Sequence, residues 1–153
     1  RGLGGKTMDE IQVGEKAAFS KTVSETDVYL FAGITGDMNP VHVNREFAAE
    51  TPFRKPIAHG VLGLGLISNV LGTQLPGPGS IYVQQSIKFT KPVYVGDTIT
   101  AMVEVIEKDA QRNKVRLRTW CQNQDGVIVM DGEALMMPRK EVSRVDGGQA
   151  KVC

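Results

Sequence analysis

Cysteine and histidine are scarce in this chain: Cys121 and Cys153 are its only cysteines, and His42 and His59 its only histidines. Two cysteines without a C-x-x-C pair exclude a disulfide framework. With no His/Cys cluster, a structural zinc site is not expected, and any imidazole chemistry falls to one of two residues. A charge excess is missing as well. Lys and Arg number 18 against 17 Asp and Glu, leaving a net charge of +1 and none of the basic surplus that nucleic-acid binding calls for. From Ile57 to Ile87 no residue carries a full charge, but Pro76-Gly77-Pro78-Gly79 breaks that run. Its apolar heart, Val61 to Leu71, is too short for a bilayer span and reads as a buried helix, so no membrane partner is expected. Familiar catalytic and nucleotide signatures are also missing. Gly63-x-Gly65-x-x-Ser68 lacks the third glycine and the preceding strand of a dinucleotide fingerprint, and no G-x-S-x-G elbow supports a serine nucleophile.

What is present is one domain's worth of chain, 153 residues with 41% apolar content. Arg1 to Thr7 is Gly-rich and lacks the apolar stretch of a secretory signal; Met8 is a candidate natural start. Residues 1–12 read as an N-terminal extension, 13–138 as the domain and 139–153 as a polar C-terminal tail. A cytoplasmic location is expected, with the mitochondrial matrix after transit-peptide removal as the alternative. Lys16 to Val23 is a candidate strand. Ser24-Glu25-Thr26-Asp27 has the form of a capping box, followed by a short helix with Val28, Phe31, Ala32 and Ile34 on its inner side. A turn is expected from Gly36 to Pro40 and a short helical piece from Asn44 to Glu50. Gly60 to Gln74 reads as a helix apolar nearly all round, to be enclosed by other structure. After Gly79 the period becomes two. Ile81 to Phe89 shows it with the phase disturbed near Gln84-Gln85-Ser86, then Ile99 to Val105, Val115 to Cys121, and, past the Asp125-Gly126 turn, Val127 to Met136. Strand, helices and four antiparallel strands make an α+β fold, a long central apolar helix wrapped by a curved antiparallel sheet.

Reactive side chains are densest at Gly36-Asp37-Met38-Asn39-Pro40-Val41-His42. Asp, Asn and Pro are ordinary turn formers, so the motif has a plain structural reading. Set against it are a carboxylate, an amide and an imidazole within six residues. Asp37 and His42 can serve one water as proton acceptor and donor near neutral pH, and the Asn39 amide can hold the carboxylate or that water. His59-Gly60 opens the apolar helix, whose first N–H groups and positive dipole end suit developing negative charge on oxygen. Gly60 admits a ligand close to that backbone, while His59 is read as a helix cap. Gly63 and Gly65 inside the helix point to close contacts there.

Together these residues resemble the MaoC-like, R-specific enoyl-CoA hydratases of the hot-dog fold. The pattern D-x-N-P-x-H is met by Asp37, Asn39, Pro40 and His42, and a second block by Pro56-Ile57-Ala58-His59-Gly60. Leu75 to Tyr82 and Pro92 to Asp97 are similar to further family segments, so the likeness spans roughly Val13 to Pro138. The resemblance implies a reversible hydration of enoyl thioesters carried by CoA or acyl carrier protein. It needs neither a metal nor a cofactor, and it takes place in homodimers or larger assemblies. It also implies Asp37 and His42 as the catalytic pair, Asn39 at the water site and the Gly60 N–H as oxyanion donor. Ser68 matches a pocket position, with Leu62, Leu66 and Leu71 as acyl-tunnel residues. Two other readings are a hot-dog thioesterase and a catalytically silent acyl-thioester binding module. A thioesterase commonly has its carboxylate on or beside the central helix, whereas Thr51 to Gln85 contains no Asp or Glu.

Overall fold

The computed structural model of the protein describes residues 4–141. A 3₁₀ turn (Met8–Glu10) leads to β1 (Lys16–Thr22), α1 (Glu25–Thr35), α2 (Pro40–Val43), α3 (Arg45–Ala49) and α4 (Gly60–Thr73). Four strands follow: β2 (Ile81–Phe89), β3 (Thr98–Asp109), β4 (Lys114–Gln122) and β5 (Ile128–Met137). The capping box forms as expected. Ser24 Oγ accepts from the Asp27 N–H at 3.1 Å while the Asp27 carboxylate accepts from the Ser24 N–H at 2.9 Å. Gly36, with φ 77°, ends α1 in the left-handed region. Val28 and Ala32 are buried, but Ile34 is 83% exposed and does not share their side. Two residues on from Ala32 lies about 200° around a helix, nearly the opposite face. The turn at Asp37-Met38 passes directly into α2, a helix beyond the expected elements. Asn39 Oδ1 accepts from the Val41 N–H at 3.3 Å, and Pro40 occupies the first position, where its missing N–H costs nothing. Asn44 Oδ1 starts α3 by accepting from the Phe47 N–H at 3.0 Å.

The five strands form one antiparallel sheet in the order β1-β3-β4-β5-β2. The disturbance expected near Gln84 is a register shift between Tyr82 and Gln84. Past it, the registers line up rows of side chains on one face. Ala101, Cys121, Met130 and Phe89 make one row, and Val103, Thr119, Gly132 and Ile87 the next. Most of these residues are fully buried, and α4 lies across them, contacting β1, β2, β3 and β4. Gly63, Ile67, Val70 and Leu71 form its buried stripe. A Cβ on Gly63 would collide with the Met130 side chain, so the glycine lets the helix approach the first row; Gly65 faces open space. Enclosure of α4 is therefore one-sided in the single chain, with Val61 51% exposed and Ser68 open to solvent.

The segment read as an extension is bonded to the domain. The Gly5 and Lys6 N–H groups donate to the Pro78 and Pro76 carbonyls at 2.7 and 2.8 Å, and Ile11 belongs to the core with no exposed surface. Of the polar tail, the part from residue 142 on, with Cys153, lies outside the described residues, as do the first three residues.

Candidate functional site

Two backbone contacts anchor the second reactive segment, and a third joins it to the first. Ile57 forms a bridge with Tyr94, and the Ala58 N–H donates to the Val93 carbonyl at 2.7 Å, which pins the approach to α4 against the loop after β2. The Ile57 N–H donates to the Val41 carbonyl at 3.2 Å, holding α2 alongside. Arg45, one turn after His42, forms a two-pronged pair with Glu25 at 2.9 and 3.0 Å and so ties α3 to α1. The Tyr29 hydroxyl and the Arg45 guanidinium together hold the Glu25 carboxyl below its ordinary value.

At the junction, polar atoms of Asp37, His42 and His59 lie within 4.8 Å of one another. His42 Nδ1 is 2.6 Å from the Ile57 carbonyl oxygen. A carbonyl only accepts, so Nδ1 carries the hydrogen and Nε2 keeps the free lone pair. His59 Nε2 is 2.9 Å from the Asp37 carbonyl oxygen, which assigns the opposite tautomer. The imidazoles are stacked, with centroids 3.8 Å apart at 29°, and Phe31 packs on the other side of His59 at 4.7 Å. Such spacing is also that of a metal cluster. Rings stacked this way, however, cannot aim both lone pairs at one ion about 2 Å from each nitrogen. The arrangement suits proton transfer better.

Asn39 serves the site through its main chain as well as its side chain. Its N–H donates to the Asp37 carboxylate at 3.2 Å, and its amide oxygen caps α2. Of the two roles open to the amide in the sequence, holding the carboxylate or holding a water, the first is taken by the backbone N–H. His59 is the N-cap residue of α4, as read from sequence, but its side chain makes no cap hydrogen bond and its ring turns back to the Asp37 carbonyl. Gly60 is the first residue of α4, where the N–H has no partner within the helix.

His42 and Gly60 share the wall of an apolar cavity of about 390 Å³, completed by Phe53, Ile57, Phe89 and Met130, with Lys91 also on its wall. A Cβ on Gly60 would lie 2.7 Å from the Phe89 ring, so the glycine and the phenylalanine fit against each other. Phe53, Phe89 and Met130 were not singled out from sequence. Phe89 and Met130 are partners in the β2–β5 ladder, and that pairing sets Phe89 against Gly60 and Met130 against Gly63; their places in alternating strands were the available signal. Ser68, Leu62, Leu66 and Leu71 do not line this cavity. Leu71 is in the core, Leu62 and Leu66 are half-buried against it, and Ser68 is exposed.

Comparison with known proteins bears on the family and the fold. The sequence profile described as "MaoC like domain" matches residues 9–124. The chain is 50% identical over 129 residues to the (R)-specific enoyl-CoA hydratase of Rhodospirillum rubrum, covering 84% of this chain and 89% of that one. It is 46% identical over 148 residues to the 3-hydroxybutyryl-CoA dehydratase of Methylorubrum extorquens, covering 93% and 94%. Among solved structures, the unliganded R-hydratase of Pseudomonas aeruginosa superposes with a TM-score of 0.85 at 40% identity, covering 99% of both chains. The hot-dog architecture expected from the sequence is the observed one.

Proposed function

Since the chain belongs to the family of MaoC-like domains, we propose that it hydrates trans-2-enoyl-CoA reversibly to (R)-3-hydroxyacyl-CoA. The observation that carries this reading is the convergence of Asp37 and His42 beside an apolar cavity whose wall includes the first residue of α4. The thioester carbonyl already polarises the double bond. Water adds at the β-carbon, losing a proton to the Asp37/His42 pair, and the pair returns a proton to the α-carbon on the same side. His42 enters this exchange through Nε2, since Nδ1 is committed to Ile57. The Asn39 amide steadies the water, and the Gly60 N–H receives the enolate oxygen, helped by the positive end of α4.

CoA is the carrier we assign. Both relatives are named for CoA substrates, and Lys91 on the cavity wall can meet its phosphates, with Arg54, Lys55 and Lys88 as further cations. Leu62, Leu66 and Ser68 are kept as acyl-chain contacts in the assembled enzyme, whereas Leu71, fully enclosed in the core, is withdrawn from that set.

A second copy of the chain completes this reading. The sheet ends in β2, an edge strand whose Ile81, Val83 and Phe89 are 58, 43 and 53% exposed. The other edge, β1, bears Lys16 and Lys21, the kind of charge that keeps an edge unpaired. We therefore assign β2 and the open face of α4 to a homodimer contact.

Purified protein is expected to remove the enoyl-thioester absorbance of crotonyl-CoA and to yield the (R)-alcohol. Asp37→Asn and His42→Ala are each expected to lower the rate by about 10²–10⁴-fold. Wild-type rates in both variants would overturn the assignment of the pair, and free thiol released with the double bond intact would point to a thioesterase instead.

A further inference from the structure

His59 has a place in the site that neither its sequence context nor the proposed reaction explains. It is 2% exposed, and its Nδ1 is buried without a hydrogen-bond partner among the described residues. Filling space does not require an imidazole here. A phenyl ring would pack on Phe31 and stack on His42 without leaving a buried acceptor unpaired, an arrangement proteins generally avoid. What the imidazole adds is the Nε2–H, which donates to the main-chain carbonyl of Asp37, 22 residues away along the chain.

We propose that His59 is a positioning residue that sets Asp37 and His42 relative to each other, holding the first by a hydrogen bond and the second by ring stacking. This rests on the reading that Asp37 and His42 act on the substrate. Asp37 lies in the short passage between α1 and α2, exposed to solvent, where its N–H reaches the Thr35 hydroxyl at 3.2 Å. That contact ties it to the end of α1, and the Asn39 N–H ties its carboxylate to the start of α2 at 3.2 Å, both within one exposed stretch of chain. Its carbonyl bond to His59 adds an anchor outside that stretch, because His59 directly precedes α4, which is buried against the sheet. His42 is fixed from two sides, by the Ile57 carbonyl at Nδ1 and by the His59 ring against its face. One rigid imidazole therefore adds a bridge between two segments already joined by the Ile57–Val41 backbone bond and the His42–Ile57 contact. Its orphaned Nδ1 follows from the tautomer that the Asp37 bond demands.

The two-histidine composition makes the test direct, because long-range nitrogen-15 spectra of the imidazoles contain two ring systems. In the unliganded protein His42 is expected as the Nδ1–H tautomer and His59 as the Nε2–H tautomer. His59→Phe keeps the stack and loses the bond; its kcat for crotonyl-CoA hydration is expected to fall about tenfold to a hundredfold, with KM within about threefold. His59→Gln keeps an N–H within reach of that carbonyl but loses the ring, so its kcat is also expected to fall at least about tenfold. Wild-type kcat in either variant overturns the proposal. So does a spectrum with the proton of His59 on Nδ1, which also decides the matter should His59→Phe fail to fold. A wild-type protein that does not hydrate crotonyl-CoA would defeat the hydratase reading instead, while the spectrum still tests the arrangement.

Discussion

At the scale of single residues, the site depends on what small groups permit and what hydrogen bonds forbid. Gly60 lets Phe89 rest on the start of α4, and the two carbonyls of Asp37 and Ile57 settle opposite tautomers on two stacked rings. Gly60→Ala keeps the backbone N–H but drives a methyl toward the Phe89 ring, displacing it into the cavity. A loss of about tenfold in kcat/KM for crotonyl-CoA with an unchanged circular-dichroism spectrum is expected; unchanged kinetics would mean that Phe89 swings outward at no cost. Cys121 presents the contrary case, a reactive group made inert. Burial pushes its thiol up to about 12, and its Sγ lies 3.7 Å from the Gly63 carbonyl, within the row that α4 covers. Asp37, Asn39, His42 and Gly60 were legible in the sequence because each motif is local, its turn formers and glycine marking where the chain must bend. The role of His59 was not, since its bond reaches 22 residues back and only folding brings the two ends together.

Elements carry their own signals with different fidelity. The start of α1 was readable to the residue because a capping box is written in four consecutive positions. Ser24→Ala is expected to cost about 1 kcal/mol of stability, measurable as a lower Cm in urea. Asp27 adds a pH dependence. Its hydrogen bonds to Ser24, with help from Lys21 at 3.1 Å, hold the carboxyl below the ordinary value of 3.8. A carboxyl depressed by folding contributes stability that is complete above its unfolded pKa and lost as pH falls through the folded one. The difference in Tm between wild type and Asp27→Asn should therefore be full near neutral pH and shrink below pH 3.8. Equal differences at both pH values would show that the charge of Asp27 is immaterial. Less legible were α2, too short for any periodicity, and Ile34, whose apolar character says nothing about the side on which a helix turns it.

For the whole molecule, the informative feature is a helix covered on one side. Residues apolar nearly all round led to the expectation of a fully enclosed α4, yet the sheet reaches only the stripe from Gly63 to Leu71. The same composition that makes α4 apolar on its open side is repeated on the neighbouring edge strand, at Ile81, Val83 and Phe89. Contiguous exposed apolar surface beside an unpaired strand edge is what an association surface looks like. Light scattering is expected to give twice the chain mass, and Val83→Lys, placing a charge on β2, to shift the protein toward monomer. A monomeric wild type at micromolar concentration would remove the basis for this contact.

The opening scarcity of cysteine and histidine takes its meaning at this scale. By itself the sequence determined every main element except α2, the antiparallel character of the sheet and the two short segments to which we assign the chemistry, because caps, turn formers and alternation act over a few residues. Tertiary structure decided the rest: the rows that set Phe89 and Met130 against the start of α4, the open side of that helix, and the stacking of His59 on His42. Those features depend on strand register and on contacts across tens of residues, where burial and geometry choose among partners that local sequence leaves equivalent.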